Sequence, residues 1–289
     1  MIEALQFEFM RNALIAGLLA SIICGIMGTL VVVNRIVFLS GGIAHAAYGG
    51  IGLAFYFGWP YLAGTLGFSL AAAMVMAAVT LKARHRSDTI IGVIWALGMA
   101  CGIILVDLSP GYNVDLMSYL FGSILTVPDS DLWIMVVMGI AIVGLVVTYY
   151  KDLLALSYDE EFARIRGVPV TALYFLLIGL LAVTVVMVIQ VVGLILVIAL
   201  LTIPPFIMER YARSLLQMMV GSSLLGALFT IAGLWISYAF DLTSGASIIL
   251  VAGLFFFLNL LAERSLPVRK ASTVSPDTEQ TLPAGRETS

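Results

Sequence analysis

Long apolar stretches alternate with short polar ones along most of the chain. Nine of them are long enough to cross a bilayer: 12–33, 36–57, 60–81, 89–107, 132–150, 170–189, 191–208, 215–239 and 243–261. A helix needs about 20 apolar residues to span a hydrocarbon core about 30 Å thick. The segment 170–208 carries no charge. As one helix it would run about 58 Å, far more than a bilayer core, so it predicts two helices with a turn near Gln190–Gly193. The pattern therefore predicts an all-α, polytopic integral membrane protein with about nine transmembrane helices.

The polar gaps between these stretches are unequal. With the N-terminus outside, every one of the 14 Lys and Arg residues except Arg11 falls at the cytoplasmic end. These are Arg35, Lys82, Arg84, Arg86, Lys151, Arg164, Arg166, Arg210, Arg213, Arg264, Arg269, Lys270 and Arg286. The positive-inside rule thus places the C-terminus in the cytoplasm. Asp107, Asp115, Asp129, Asp131 and Asp241 fall at the outer end. Residues 1–264 read as one transmembrane domain. The tail 265–289 is polar without apolar periodicity and predicts a disordered cytoplasmic end. The first apolar run follows Glu3 and Glu8 rather than a basic cluster, and no small-residue cleavage site follows it, so it reads as a retained helix.

Composition narrows the class further. The chain is 62% hydrophobic and 11% charged, too little charge to cover a soluble domain of 289 residues. A net charge of −3 gives no ground for a nucleic-acid partner. The two cysteines, Cys24 and Cys101, lie inside apolar runs and form no disulfide framework.

One ionisable side chain stands out in the second stretch. In FLSGGIAHAAYGGIG, from Phe38 to Gly52, His45 lies near the bilayer centre. Such a group is costly in hydrocarbon and faces the protein interior or a water path. Gly41 and Gly49 stand one helical turn to either side. Gly42, Ala46 and Gly50 form a small-residue stripe that lets a neighbouring helix approach closely. Two readings stand at this point: a hydrogen-bonded packing histidine, or a transient metal ligand or proton-relay group on a translocation path. Neutral imidazole binds zinc, manganese, iron and copper. Cys24 and Cys101 fall at a similar depth and are secondary candidates as ligands, though a buried cysteine commonly packs as a small hydrophobe.

The loop 151–169 carries the second candidate site. In KDLLALSYDEEFARIRGVPV, Asp159, Glu160 and Glu161 precede Arg164 and Arg166. Acid at the start and base at the end suit a helix dipole. Asp159 is a cap, and Gly167 with Pro169 is a stop. Phe162 and Ile165 give this short helix an apolar face on its water side. It is either a solvated connector or a docking knob for a cytoplasmic partner. The chain holds no G-x-x-x-x-G-K-[ST] phosphate loop, no H-E-x-x-H and no G-x-S-x-G. It is not expected to be an enzyme, and any ATP that drives it must be bound by another subunit.

Five segments, in order, resemble the membrane permease of ABC importers for zinc, manganese or iron. They are GGIAHAAYGGIGLAF, MSYLFGSIL (Met117–Leu125), LLALSYDEEFARIRGV, GLILVIALLTIPPFIM (Gly193–Met208) and GLWISYAFDLTSGASIIL (Gly233–Leu250). The resemblance covers most of residues 10–262. It implies a prokaryotic inner-membrane permease, acting as a homodimer, with a cytoplasmic ABC ATPase and an extracytoplasmic metal-binding protein as partners. It implies no permanently bound cofactor, the divalent metal ion being the substrate.

The resemblance makes 151–169 a coupling loop, with Asp159, Glu160, Glu161, Phe162, Ala163, Arg164 and Gly167 meeting the ATPase. It strengthens His45 as a path or metal residue and marks Pro204 and Pro205 as a candidate hinge. Prolines there also have a plainer role in ending or kinking a helix. The chain departs from the family at Gly41, where many members carry an acidic residue one turn before the histidine. The second ligand then comes from other helices, or the ion passes without firm coordination. A siderophore- or cobalamin-type permease, an ion-coupled secondary metal transporter and an intramembrane enzyme are the alternatives. The first would have ten spans, the second would carry membrane acids, and the third lacks a motif.

Overall fold

The computed structural model describes residues 6–82, 87–109, 122 and 124–265. Most of MSYLFGSIL, the basic residues Arg84 and Arg86, Asp115 and the tail beyond Ser265 lie outside the described residues. Eleven α-helices are found among the described residues, with no strand: α1 Glu8–Val33, α2 Val37–Phe57, α3 Tyr61–Lys82, α4 Ser87–Asp107, α5 Asp129–Thr148, α6 Tyr150–Tyr158, α7 Glu160–Ile165, α8 Val170–Val192, α9 Leu194–Tyr211, α10 Leu215–Phe240 and α11 Ser244–Ser265. All but α6 and α7 are long and apolar enough to cross a membrane. A short 3-10 turn, Ile124–Thr126, precedes α5.

The expected division of 170–208 is present, and one residue makes it. Gly193 has φ 85° and ψ 166°, between the end of α8 and the start of α9. That region of backbone space is essentially open to glycine only. The backbone of Gly122 packs directly on the peptide joining Val192 to Gly193.

Small residues decide which helices approach closely. On α2, Gly42, Ala46 and Gly52 meet Ile91, Gly98 and Gly102 of α4 in increasing order, so α2 and α4 run parallel. On the α3 side, Gly42, Gly49, Gly50 and Ala54 meet Met76, Phe68, Thr65 and Gly64, so α3 runs antiparallel. The stripe read from the sequence is thus the seam between α2 and both neighbours. In lipid, such close packing replaces the hydrophobic force that joins helices in water.

A second group forms around α1. Gly17, Ser21 and Gly25 face Thr230, Gly226 and Ser223 of antiparallel α10. Ser21 Oγ and Thr230 Oγ1 are 3.0 Å apart, and Ser223 Oγ donates to the Ile22 carbonyl at 3.2 Å. Gly28 lies on the carbonyl of Leu201, which Pro205 leaves without its helical donor. Pro204 and Pro205 therefore sit inside a helix that continues to Tyr211, with α1 packed on the gap. The helix α8 lies between the two groups, in contact with α3 and α2 on one side and α1, α9 and α5 on the other.

Basic residues concentrate at one end, although acidic residues such as Asp88, Asp152 and Glu209 share it and Arg11 lies at the other. Arg35, Lys82, Lys151, Arg164, Arg166, Arg210 and Arg213 lie at the end that carries α6 and α7, whereas Asp107, Asp129, Asp131 and Asp241 lie at the other.

Candidate functional site

His45 stands eight residues into α2, about 12 Å along its axis from Val37. Its Nδ1 lies 2.9 Å from the carbonyl oxygen of Gly41. A carbonyl only accepts, so Nδ1 carries the proton and donates. The neutral ring then keeps its lone pair on Nε2, the tautomer a metal-ligating histidine adopts when its other nitrogen is tied to a backbone oxygen. The helix itself supplies that tie, since Gly41 is one turn earlier.

Trp95 of α4 covers the ring, with centroids 4.0 Å apart and planes inclined by 31°. Because α2 and α4 run parallel, Trp95 stands at the same depth, also eight residues into its helix. Sequence reasoning missed Trp95. A tryptophan in the middle of a span, away from the interfacial belts where that residue collects, was the available signal.

The two glycines beside His45 differ. Gly49 is filled from the α3 and α4 sides by the Phe68 ring and the Gly98 carbonyl. A β-carbon at Gly41 would meet nothing within 4 Å. His45 itself is half-buried. Among the described residues no group of three His, Cys, Asp or Glu side chains is placed to hold a metal ion. Cys24 is fully buried in α1 and Cys101 is exposed on α4. The arrangement is a single imidazole with Nδ1 turned to the open position at Gly41 and Nε2 on the far side of the ring.

The loop between α5 and α8 folds as two short helices. Residues Tyr150–Tyr158 form α6, which sequence reasoning left as loop; Leu153 and Leu156, three apart, bury one side of it. Asp159 then caps α7, its Oδ1 accepting from the Phe162 amide at 2.8 Å. At the other end Gly167, with φ 79°, donates to Arg164 and Val168 donates to Ala163. These two bonds form a Schellman stop, which needs a left-handed residue at the glycine position. Glu160 and Arg164 pair across one turn at 2.7 Å.

With both ends fixed, α7 presents a defined surface. Ala163 is fully buried against the bundle and so anchors the helix; it offers no contact to an outside protein. Phe162 is 49% exposed and Ile165 84% exposed. The Arg166 guanidinium lies 5.6 Å from the Phe162 ring centroid. Tyr158, Asp159, Glu160, Glu161 and Arg164 line a surface hollow with Ile165. The result is a rigid knob with an aromatic tip and a charged rim, at the basic end of the molecule.

Comparison with known proteins gives this architecture its relatives. Residues 6–263 match the model of the ABC 3 transport family. An uncharacterized membrane protein of Synechocystis is 53% identical over 264 residues, covering 91% of this chain and 94% of that protein. The manganese transport system membrane protein MntC of Listeria monocytogenes is 34% identical over 257 residues, covering 89% and 91%. The solved structure of PsaBC from Streptococcus pneumoniae in complex with Fab superposes with a TM-score of 0.81 at 36% identity, covering 90% of this chain and 94% of that one. The chain belongs to the ABC 3 transport family, as a multi-pass membrane permease subunit of an ABC transporter.

Proposed function

We propose that the chain is the permease of an importer for divalent transition-metal ions, with manganese as its first candidate cargo. It works as a homodimer in the prokaryotic cytoplasmic membrane. Its N-terminus is outside, and α6 and α7 face the cytoplasm. Each copy docks one ABC ATPase, and a separate extracytoplasmic protein delivers the ion. Relatives that share about a third of the sequence carry manganese transport in their names. The bias of Lys and Arg toward the α6–α7 end supports this orientation.

The observation that carries the reading is α7 itself. A connector between two spans has no use for an aromatic and an aliphatic side chain held in water by a cap at each end. An aromatic anchor within a polar rim is what a protein partner buries. The ATPase binds and hydrolyses ATP; α7 moves with it, and the spans shift between two arrangements whose relative stability the partner sets. His45, through Nε2, offers the passing ion a neutral nitrogen ligand at mid-membrane depth. A single nitrogen holds an ion weakly, which suits passage better than storage.

The test is uptake of radioactive manganese, supplied on the extracytoplasmic delivery protein, into proteoliposomes holding the permease with and without its ATPase. The reading expects uptake only with ATPase and ATP, and its loss with vanadate. Uptake by the permease alone, driven by an ion gradient, would instead establish a secondary carrier.

A further inference from the structure

Side-chain bonds tie α1 to the α5–α6 segment at both the α6–α7 end and the opposite end. At the α7 end, Asn34, the residue after α1, donates to the Leu30 carbonyl at 2.8 Å and to Ser157 Oγ at 2.9 Å. One amide group therefore closes α1 and holds α6 two residues before the cap of α7. At the far end, buried Asn12 of α1 donates to the Asp129 carboxylate at 2.8 Å and to the Val127 carbonyl at 3.4 Å. Between them the Ile23 side chain of α1 fills the notch at Gly139 of α5. The three contacts advance together along both chains, so α1 and α5 run parallel. Asn12 and Asn34 are 22 residues apart, about 33 Å along the helix.

The turn after Asn34 separates this pair from the helices that carry His45. Arg35 takes φ 58°, and the amides of Arg35 and Ile36 donate to Val32 and Val31 at 3.0 Å each. A left-handed non-glycine residue here turns the chain sharply into α2. A cavity of about 270 Å³ lies beneath the turn, lined by Asn34, Arg35, Thr80, Leu156, Glu160 and Tyr174. The turn thus has room on the side that faces α7, whereas the Asn34–Ser157 bond ties α1 to α6.

We propose that α1 and the α5–α6 arm act as one rigid strut, clamped by Asn34–Ser157 and Asn12–Asp129, which carries displacement of α7 across the membrane to the opposite end. Asn34, Ser157, Asn12 and Asp129 are positioning residues for transport; none of them touches the ion. The strut rests on the reading of α7 as the ATPase-docking helix. It differs from a gate, in which the same contacts open during each cycle.

Crosslinking separates strut from gate. In the full permease–ATPase complex in proteoliposomes, Cys101 is replaced by serine because it is exposed, and cysteine pairs are placed at positions 34 and 157 or 12 and 129. Each unlinked pair has lost its clamp and lowers manganese taken up per ATP hydrolysed. Closing it with a short bifunctional maleimide restores the ratio toward that of the Cys101→Ser parent, and a ratio that linking leaves unchanged overturns the strut. Hydrolysis that continues while uptake stops on linking overturns the strut. In the second arm, Ser157→Ala lowers uptake per ATP about fivefold at unchanged copurification with the ATPase, and Ser157→Thr, which keeps the hydroxyl, restores it. An unchanged ratio in Ser157→Ala also overturns the strut. A wild-type complex without ATP-dependent uptake would sink the coupling reading first; a working wild type that fails either arm sinks the strut alone.

Discussion

Trp95 lies over His45, with 4.0 Å between ring centroids and the planes inclined by 31°, and both sit eight residues into parallel helices. The indole restricts the imidazole to one orientation, while the Gly41 carbonyl restricts it to one tautomer. If Nε2 serves the ion, both restraints matter. His45→Ala is expected to abolish or strongly slow manganese uptake while the permease and its ATPase still copurify. Trp95→Ala, which frees the ring but leaves it present, is expected to slow uptake by about tenfold, the scale seen when groups that orient a metal ligand are lost. Uptake rates of the two variants at matched protein check this. Full activity in His45→Ala would return the residue to a packing role.

The exposed tip of α7 gives a second test. Phe162→Asp places a charge where an apolar anchor is expected, next to Glu161 and opposite the Arg166 guanidinium. Buried aromatic anchors commonly account for about 2 kcal/mol or more of an interface. The variant is expected to release the ATPase on size-exclusion chromatography, or to leave hydrolysis running without uptake. The α7 helix itself should persist, since neither the Asp159 cap nor the Gly167 stop involves the Phe162 side chain. Normal copurification with normal uptake per ATP would remove the docking role.

Much of this was legible in the sequence for a physical reason. Lipid imposes a length and a polarity on each span, so nine spans and the break before Leu194 follow from apolar run length alone. Span ends were less legible, because helices continue past the apolar core: α1 starts at Glu8, where an acidic residue suits the helix dipole, and α9 runs on to Tyr211. The caps of α7 were readable because Asp159 and Gly167 act within one turn of chain. The role of Ala163 was not, since its burial depends on α7 folding back onto the bundle. The same holds for Trp95 and for the Asn34–Ser157 bond, which pair residues far apart in sequence. Register between helices decides such contacts, and a single chain carries no direct mark of register.

The turn at Gly193 is the most sharply conditioned backbone site. At φ 85° and ψ 166° an alanine β-carbon is strained whatever the space around it. Backbone strain of this kind costs about 1–3 kcal/mol. Gly193→Ala is expected to lower the unfolding midpoint of the detergent-solubilised protein by several degrees. Gly144, on α5, is the control: a β-carbon added there would meet nothing within 4 Å, and Gly144→Ala should leave the midpoint unchanged or slightly raised. Equal midpoints for the two variants would mean that α8 and α9 tolerate a different connection.

Gly41 offers the complementary experiment, a gain in place of a loss. A carboxylate introduced there stands one helical turn before His45, on the Nδ1 side of the ring, and the position is sterically open, so an ion can be shared between the two once the ring turns from the Gly41 carbonyl. A hard oxygen donor beside an imidazole suits manganese, and the ion in turn offsets the cost of a carboxylate at this depth. Gly41→Asp is therefore expected to bind manganese tightly enough to broaden its paramagnetic resonance signal in solution with the purified permease, which the parent protein should leave nearly unchanged. Tighter holding slows release, so uptake at saturating manganese should fall rather than rise. Gly41→Asn, of the same size but uncharged, should show neither effect. If Gly41→Asp binds no more manganese than the parent, the imidazole is not open to an ion beside position 41, and the ligand role of His45 on that side is lost.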